Sequence, residues 1–151
     1  MSVFVDTGVL YAHHDTDASR HEVAVPALVR VLKDAQYGHV LTSEYVYDEL
    51  VTLTHRRTGS VQEGIHVGRR IRGEGYPEAI DLLYSSPTLF DAAVEAYEAY
   101  AEHELSFTDA MTVAMVEHHD IDVVLSFDDD FDGIVDRLVP VSLVDSSVTH
   151  E

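Results

Sequence analysis

The chain has 151 residues, of which 46% are hydrophobic; 28 are Asp or Glu, 9 are Lys or Arg, none is Cys, and the formal net charge is -19. That length suits one domain with one main core, and the composition excludes a disordered solvating tail as well as disulfide and thiolate chemistry. No apolar run could span a bilayer, and Met1-Ser2-Val3-Phe4-Val5-Asp6 has no basic leader followed by a long apolar stretch, so a cytoplasmic address away from the membrane is expected.

Val3-Phe4-Val5 reads as a short buried strand ending at the turn formers Asp6-Thr7-Gly8, with Val9 to Ala12 on a short turn or helix beyond it. A helix is expected from about Ser19 to Gln36, carrying Val23, Ala27, Leu28 and Val31 on one face. Pro26 either kinks it or marks a later start. Val40-Leu41 is a second strand. Ser43 can cap the helix after it, whose buried face is Val46, Leu50 and Leu53. Gly59 breaks that helix, Ser60-Val61-Gln62-Glu63 has capping-box spacing for the next, and Gly73 and Gly75 end it. Ile80, Leu82 and Tyr84 alternate like a third strand, and Pro87 opens a helix through Tyr97 and Tyr100. Ser106-Phe107-Thr108-Asp109 leads into the apolar helix Ala110 to Val116, with Phe107 as a core anchor. Ile121 to Leu125 reads as a buried parallel strand, and Val139 to Val144 as a last edge strand. Strands alternating with helices predict a three-layer α/β/α fold with a mainly parallel central sheet, forming one domain over residues 1–151 without repeats.

The acidity runs along the whole chain. This favours adaptation to concentrated salt, where screening shortens self-repulsion, over binding of a cationic partner, which would concentrate the charge in a tail. Arg56, Arg57, Arg69, Arg70 and Arg72 fall close together and could form a local phosphate-binding patch or ordinary solvated helix faces.

Asp6 follows the first strand directly and Asp128 follows the strand ending near Leu125, so both can reach the carboxyl edge of the sheet, where ligands of open α/β folds gather. Glu49 lies on the helix after the second strand. Asp109 stands at a helix start, where the backbone dipole favours its ionised form. Each acid alone could be a cap, a turn residue or a solvent-facing charge. Together they would repel one another unless a hard cation such as Mg²⁺ offsets the repulsion.

The segments Val3-Phe4-Val5-Asp6-Thr7-Gly8-Val9-Leu10, Ser43-Glu44-Tyr45-Val46-Tyr47-Asp48-Glu49-Leu50, Leu105-Ser106-Phe107-Thr108-Asp109-Ala110 and Val124-Leu125-Ser126-Phe127-Asp128-Asp129-Asp130-Phe131 occur in this order over almost the whole chain. In this pattern the sequence resembles the PIN-domain ribonucleases, particularly the VapC-type toxins and related small PIN proteins. The resemblance implies Asp6, Glu49 and Asp109 as the main metal-site acids and Asp128 as the fourth, with Asp130 the nearest competitor in the acidic run. Thr7 and Ser126 match polar positions near the family's pocket, where they would orient water or a carboxylate. It further implies an endoribonuclease dependent on Mg²⁺ or Mn²⁺, in-line attack of water on phosphorus, and products with a 5′-phosphate and a 3′-hydroxyl. A homodimer and, for a toxin, a cognate antitoxin are the implied partners. The alternative is a catalytically inactive PIN-like regulatory or assembly module.

Other motifs carry less. Asp6-Thr7-Gly8 matches the aspartic-protease triplet, but it occurs once and lacks that chemistry's β-rich setting. Asp128, Asp130, Asp132 and Gly133 open like an EF-hand loop whose twelfth position is Val139 instead of Glu. His13-His14 and His118-His119 are adjacent pairs without metalloprotease spacing and read as titratable surface histidines. Tyr97 and Tyr100 read as packing residues on a helix face, and no Gly-rich phosphate loop is present.

Overall fold

The structure, a computed structural model, describes residues 1–74 and 80–144. In chain order the elements are β1 (Ser2–Val5), α1 (Thr7–His14), α2 (His21–Lys33), β2 (His39–Ser43), α3 (Glu44–Thr58), α4 (Val61–Ile71), β3 (Asp81–Leu83), α5 (Pro87–Ala99), α6 (Phe107–His118), β4 (Val123–Leu125) and β5 (Arg137–Leu138). The strands form one all-parallel sheet in the order β3-β2-β1-β4-β5. This is the parallel-sheet α/β fold that the alternation of elements predicts.

Val3, Phe4 and Val5 are successive residues with no exposure. Successive side chains of a strand point to opposite faces, so both faces of β1 are covered by helices. The chain steps outward from β1 through β2 to β3, then returns to the other side of β1 as β4 and β5. The order therefore reverses between β1 and β4, and a crevice opens at their carboxyl ends. Register aligns these ends: Val5 pairs with Leu125, and the Asp6 N–H donates to the Leu125 carbonyl at 3.0 Å.

Local chemistry sets the helix boundaries. Ser43 caps α3 by accepting from Val46 N, and Gly59 ends that helix at φ 71°. Ser60 accepts from Glu63 N at the start of α4, but the Glu63 carboxylate bonds His14, so the expected capping box is only half made. The complete box is Ser106 with Asp109 at α6. Pro26 lies inside α2 without ending it, and the helix is shorter than its sequence pattern, stopping at Lys33. Of the two glycines expected to end α4, Gly73 takes φ 99° beyond the helix, while Gly75 lies outside the described residues.

Two strand expectations need correction. The alternation of Ile80, Leu82 and Tyr84 extends past the real strand; Ile80 is buried, but Tyr84 is 64% exposed. Val139 to Val144 is not an edge strand. Pairing stops after Leu138, and Pro140–Leu143 forms a 3-10 turn. Pro140 has no N–H to donate to a ladder and a ring-fixed φ, so extension cannot continue through it. Arg30 on α2 holds this turn by donating to the Leu143 carbonyl at 3.1 Å.

Helices α3 and α4 pack closely where α4 carries glycine. A Cβ at Gly64 would lie 3.2 Å from the Val51 carbonyl oxygen and 3.4 Å from His55 Cβ. Gly64→Leu is therefore expected to destabilise the fold by about 1–3 kcal/mol through overpacking. Urea unfolding at fixed salt would measure this, and wild-type stability in the variant would show that the hairpin can open without loss.

Candidate functional site

Asp6, Glu49, Asp109 and Asp128 come from four separate segments and line one cavity of about 590 Å³ at the carboxyl ends of β1 and β4. Thr7, Arg20, Leu53, Ser106 and Phe127 complete most of its wall. Asp6 is the most deeply set acid, at 6% exposure. Its Oδ1 accepts from Thr7 N at 2.9 Å and its Oδ2 from Ser126 Oγ at 2.6 Å. The same Ser126 Oγ accepts from Asp128 N at 2.9 Å. One hydroxyl thus fixes an acid after β1 relative to the acid loop after β4.

The other acids are positioned by their own elements. Glu49 stands on α3 next to the fully buried Leu50 and is half-buried, whereas its neighbour Asp48 is exposed and lies outside the cavity wall. Asp109 is the third residue of α6, where its Oδ2 receives a long bond of 3.4 Å from Ser106 N. Asp130, the competitor for the fourth position, is exposed and does not line the cavity; its N–H donates to Asp128 Oδ1 at 2.9 Å. Arg137 buttresses this loop. It donates to the Ser126 carbonyl at 3.0 Å and grips Asp132 with two bonds of 2.8 and 3.1 Å. Asp132 is thereby occupied, and the loop folds as a 3-10 turn over Asp129–Phe131 rather than as an EF-hand.

Crowding is visible in the proton affinities. Burial raises the Asp6 carboxyl to about 6, against bonds from Ser126 and Thr7 that lower it, while the charges of Glu49 and Asp128 add to the rise. Asp109 is raised to about 7, first by burial, then by the charges of Asp6, Asp128 and Glu49. Thr7 Oγ1 is buried with no hydrogen-bond partner among the described residues. The donor set is entirely oxygen, repels itself and is incompletely hydrogen-bonded. A hard divalent cation such as Mg²⁺ or Mn²⁺ fits these features; a soft metal seeking sulfur does not.

Three features of the surroundings are set against the sequence expectations. The arginines between 56 and 72 do not line the acidic cavity. Arg57 lies over the Tyr11 ring at 5.3 Å and Arg70 donates to His14 Nδ1 at 3.2 Å. The cation on the cavity wall is Arg20, which lies outside that sequence cluster and gives no signal in it.

The second difference concerns His13 and His14, which are not surface histidines. His14 has a side chain 4% exposed, and burial holds His13 down to about 4. Arg70 can only donate, so His14 Nδ1 accepts and its Nε2–H faces Glu63 Oε1 at 2.9 Å. His66 approaches this group edge-on, with ring centroids 5.3 Å apart. The hydrogen-bond chain accounts for the cluster of His14, Glu63 and His66 and leaves no lone pair of His14 for a metal.

Thirdly, Phe107 is only half-buried, in a cluster of tilted ring contacts with Tyr45, Phe90 and Tyr97. A slightly larger depression of about 640 Å³ lies among residues preceding β4 and β5, at the opposite strand ends. Its Asp122 already accepts from both Ser2 N and Ser2 Oγ.

Comparison with known proteins gives the chain's family and the relatives of its fold. The PIN domain matches residues 3–136. VapC20 of Mycobacterium tuberculosis, a sarcin-ricin loop cleaving toxin, superposes with a TM-score of 0.75 at 25% identity, covering 88% of this chain and 96% of that one. A toxin-antitoxin complex from Klebsiella pneumoniae gives 0.61 at 16% identity, covering 91% and 97%. VapBC2 from Rickettsia felis, bound to a promoter DNA fragment, gives 0.67 at 10% identity, covering 91% and 98%. No curated protein sequence matches significantly.

Two outcomes follow from the site's charge balance. Asp6 and Asp109 hold protons more tightly when folded than when unfolded, their carboxyls being raised from 3.8 to about 6 and about 7. The stability this contributes is present below the unfolded value and is lost as pH rises through the folded values. In metal-free protein, Asp109→Asn is therefore expected to flatten the decline of Tm between mildly acid and mildly alkaline pH. Added Mn²⁺ should raise wild-type Tm more on the alkaline side; an equal rise at both pH values would count against carboxylate ligands. Ser126→Ala should weaken Mn²⁺ binding by roughly 10–100-fold, as loss of ligand-orienting groups typically does. Calorimetric titration reads this directly, and unchanged affinity would remove Ser126 from any positioning role.

Proposed function

This chain belongs to the PIN-domain family, whose VapC members are nucleases, and we propose that it is a divalent-metal-dependent endoribonuclease of the VapC toxin type. The observation that carries this reading is the convergence of Asp6, Glu49, Asp109 and Asp128 on one cavity at the switch point of the sheet. Four crowded carboxylates have no structural use there that smaller or neutral residues would not serve better. When bound, Mg²⁺ or Mn²⁺ would lower the proton affinity of water and stabilise charge developing on the phosphoryl group.

The protein's own part is placement. Asp6 is held from two sides by Thr7 and Ser126, Asp109 is fixed by its capping box, and Glu49 projects from a helix anchored by Leu50. The Asp128 backbone is tied to the same Ser126 hydroxyl that orients Asp6. Hydrolysis forms a bond from water oxygen to phosphorus and breaks the bond from phosphorus to the 3′ oxygen. The phosphate stays on the 5′ oxygen of the downstream fragment, the departing 3′ oxygen takes up a proton, the attacking water loses one, and no side chain needs to act as a nucleophile.

An antitoxin protein is the partner this reading suggests, because solved relatives of the fold include toxin-antitoxin assemblies. A homodimer is the proposed assembly, and the half-exposed Phe90 and Tyr97 offer apolar surface for it. The setting is a cytoplasm rich in salt, consistent with the -19 charge. No described helix is long and apolar enough to cross a membrane.

The test compares wild type with Asp6→Asn on a mixed RNA pool, with Mg²⁺ or Mn²⁺ or with chelator, from low to near-saturating KCl. Wild type should cleave only with metal, and Asp6→Asn should lose activity by about 100-fold or more, in line with loss of a central electrostatic group. Equal cleavage by both proteins defeats the assignment. A folded, metal-binding wild type that cleaves no RNA at any salt concentration would instead support the inactive module.

A further inference from the structure

Arg20 stands immediately before α2, on the wall of the acidic cavity. Its guanidinium lies over the Phe127 ring, 4.7 Å from the centroid. Phe127 sits between Ser126, which holds Asp6, and Asp128. The cation is therefore fixed to the same loop that supplies the fourth acid.

Despite this address, the Arg20 side chain makes no hydrogen bond or ion pair among the described residues. Two other arginines do pair with acids. Arg137 forks onto Asp132, and Arg30 lies 3.7 Å from Asp34. In a chain with 28 acids and 9 bases, Arg20 shares the cavity wall with four carboxylates and yet makes an ion pair with none of them. Contact with an aromatic face holds the guanidinium near the ring without using its N–H donors as hydrogen bonds to an acceptor would. Those donors form a planar fork matching two oxygens of a phosphodiester, whereas a lysine would present only a point charge.

We infer that Arg20 binds a backbone phosphate of the nucleic acid in this cavity and is the residue that holds an anionic substrate against the repulsion of the protein's own charge. The inference rests on the nuclease reading and adds a phosphate-binding residue to it. A phosphate contact carries no base identity, so Arg20 contributes affinity and register rather than sequence preference. Concentrated salt weakens exposed ion pairs. The Phe127 platform compensates by keeping the guanidinium in place when attraction at a distance is screened.

The experiment uses full-length, Mn²⁺-loaded wild type, Arg20→Ala, Arg20→Lys and Phe127→Leu. Cleavage of a mixed RNA pool is measured alongside binding of a fluorescent random-sequence single-stranded RNA, with binding repeated in an Asp6→Asn background so that cleavage does not interfere. Arg20→Ala should lower kcat/KM and RNA affinity by roughly 10–100-fold, the range for a lost charge-assisted contact. The salt slope of binding should fall by about 0.7, as for one phosphate on a single strand. Arg20→Lys should restore the slope but only part of the activity. Phe127→Leu should lie between wild type and Arg20→Ala. Mn²⁺ affinity should be unchanged in Arg20→Ala, which separates loss of a substrate contact from collapse of the acid cluster.

An active wild type matched by Arg20→Ala in kcat/KM, affinity and salt slope overturns the inference while leaving the nuclease assignment standing. A wild type that binds RNA through Arg20 but never cleaves it keeps the phosphate contact and overturns the nuclease assignment. Loss of Mn²⁺ affinity in Arg20→Ala would show that the arginine supports the acids, and would also overturn the inference.

Discussion

Repulsion among carboxylates held at one end of a parallel sheet is the constraint around which this protein is organised. Val3, Phe4 and Val5 are wholly buried, so the residue that follows them cannot escape to solvent without breaking the central strand. Asp6 inherits that immobility. The sheet order then brings the end of β4 alongside, and α3 and α6 deliver Glu49 and Asp109 to the same cavity. The core's apolar burial thus offsets an electrostatic penalty that the acids could not sustain on a looser scaffold.

The polar supports around this cluster are economical. Ser126 is buried and uses one oxygen both to donate to Asp6 and to accept from Asp128 N. Its carbonyl is held by Arg137, which also neutralises Asp132. Phe131, fully buried in the same loop, anchors the acidic run from below. Similar logic holds the far end of α1. Glu63, His14 and Arg70 form a chain from α4 to α1 and back, with the tautomer of His14 set by a donor that cannot accept.

Much of the fold was legible because its signals are local. Strand β1 is a run of apolar residues that stops at an acid, Ser43 and Ser106 announce helices, and Gly59 marks a reversal. The four acids that line the cavity each stand near such a signal, but it was the ordered resemblance to PIN-domain proteins that singled them out among 28 acids. What was not legible depends on partners distant in sequence. Glu63 has the right spacing for a capping box, but His14 competes for its carboxylate. His13 and His14 look solvent-facing until α2, α3 and α4 are packed around α1. The arginines near residues 56–72 are neighbours in sequence, but none of them lines the acidic cavity, where the cation proves to be Arg20. At Val139 to Val144 β-branched residues suggested a strand, and Pro140 overrode them.

The abrupt end of β5 has a consequence for how copies of this chain meet. The outermost strands are only three and two residues long, and the second runs into a proline. A foreign strand seeking to zip onto either border would find few backbone partners before the template ran out. In dilute buffer the excess negative charge would keep molecules apart without such help. In brine that mutual avoidance fades while hydrophobic attraction strengthens, and the shape of the sheet's margins must then guard against stacking into fibres.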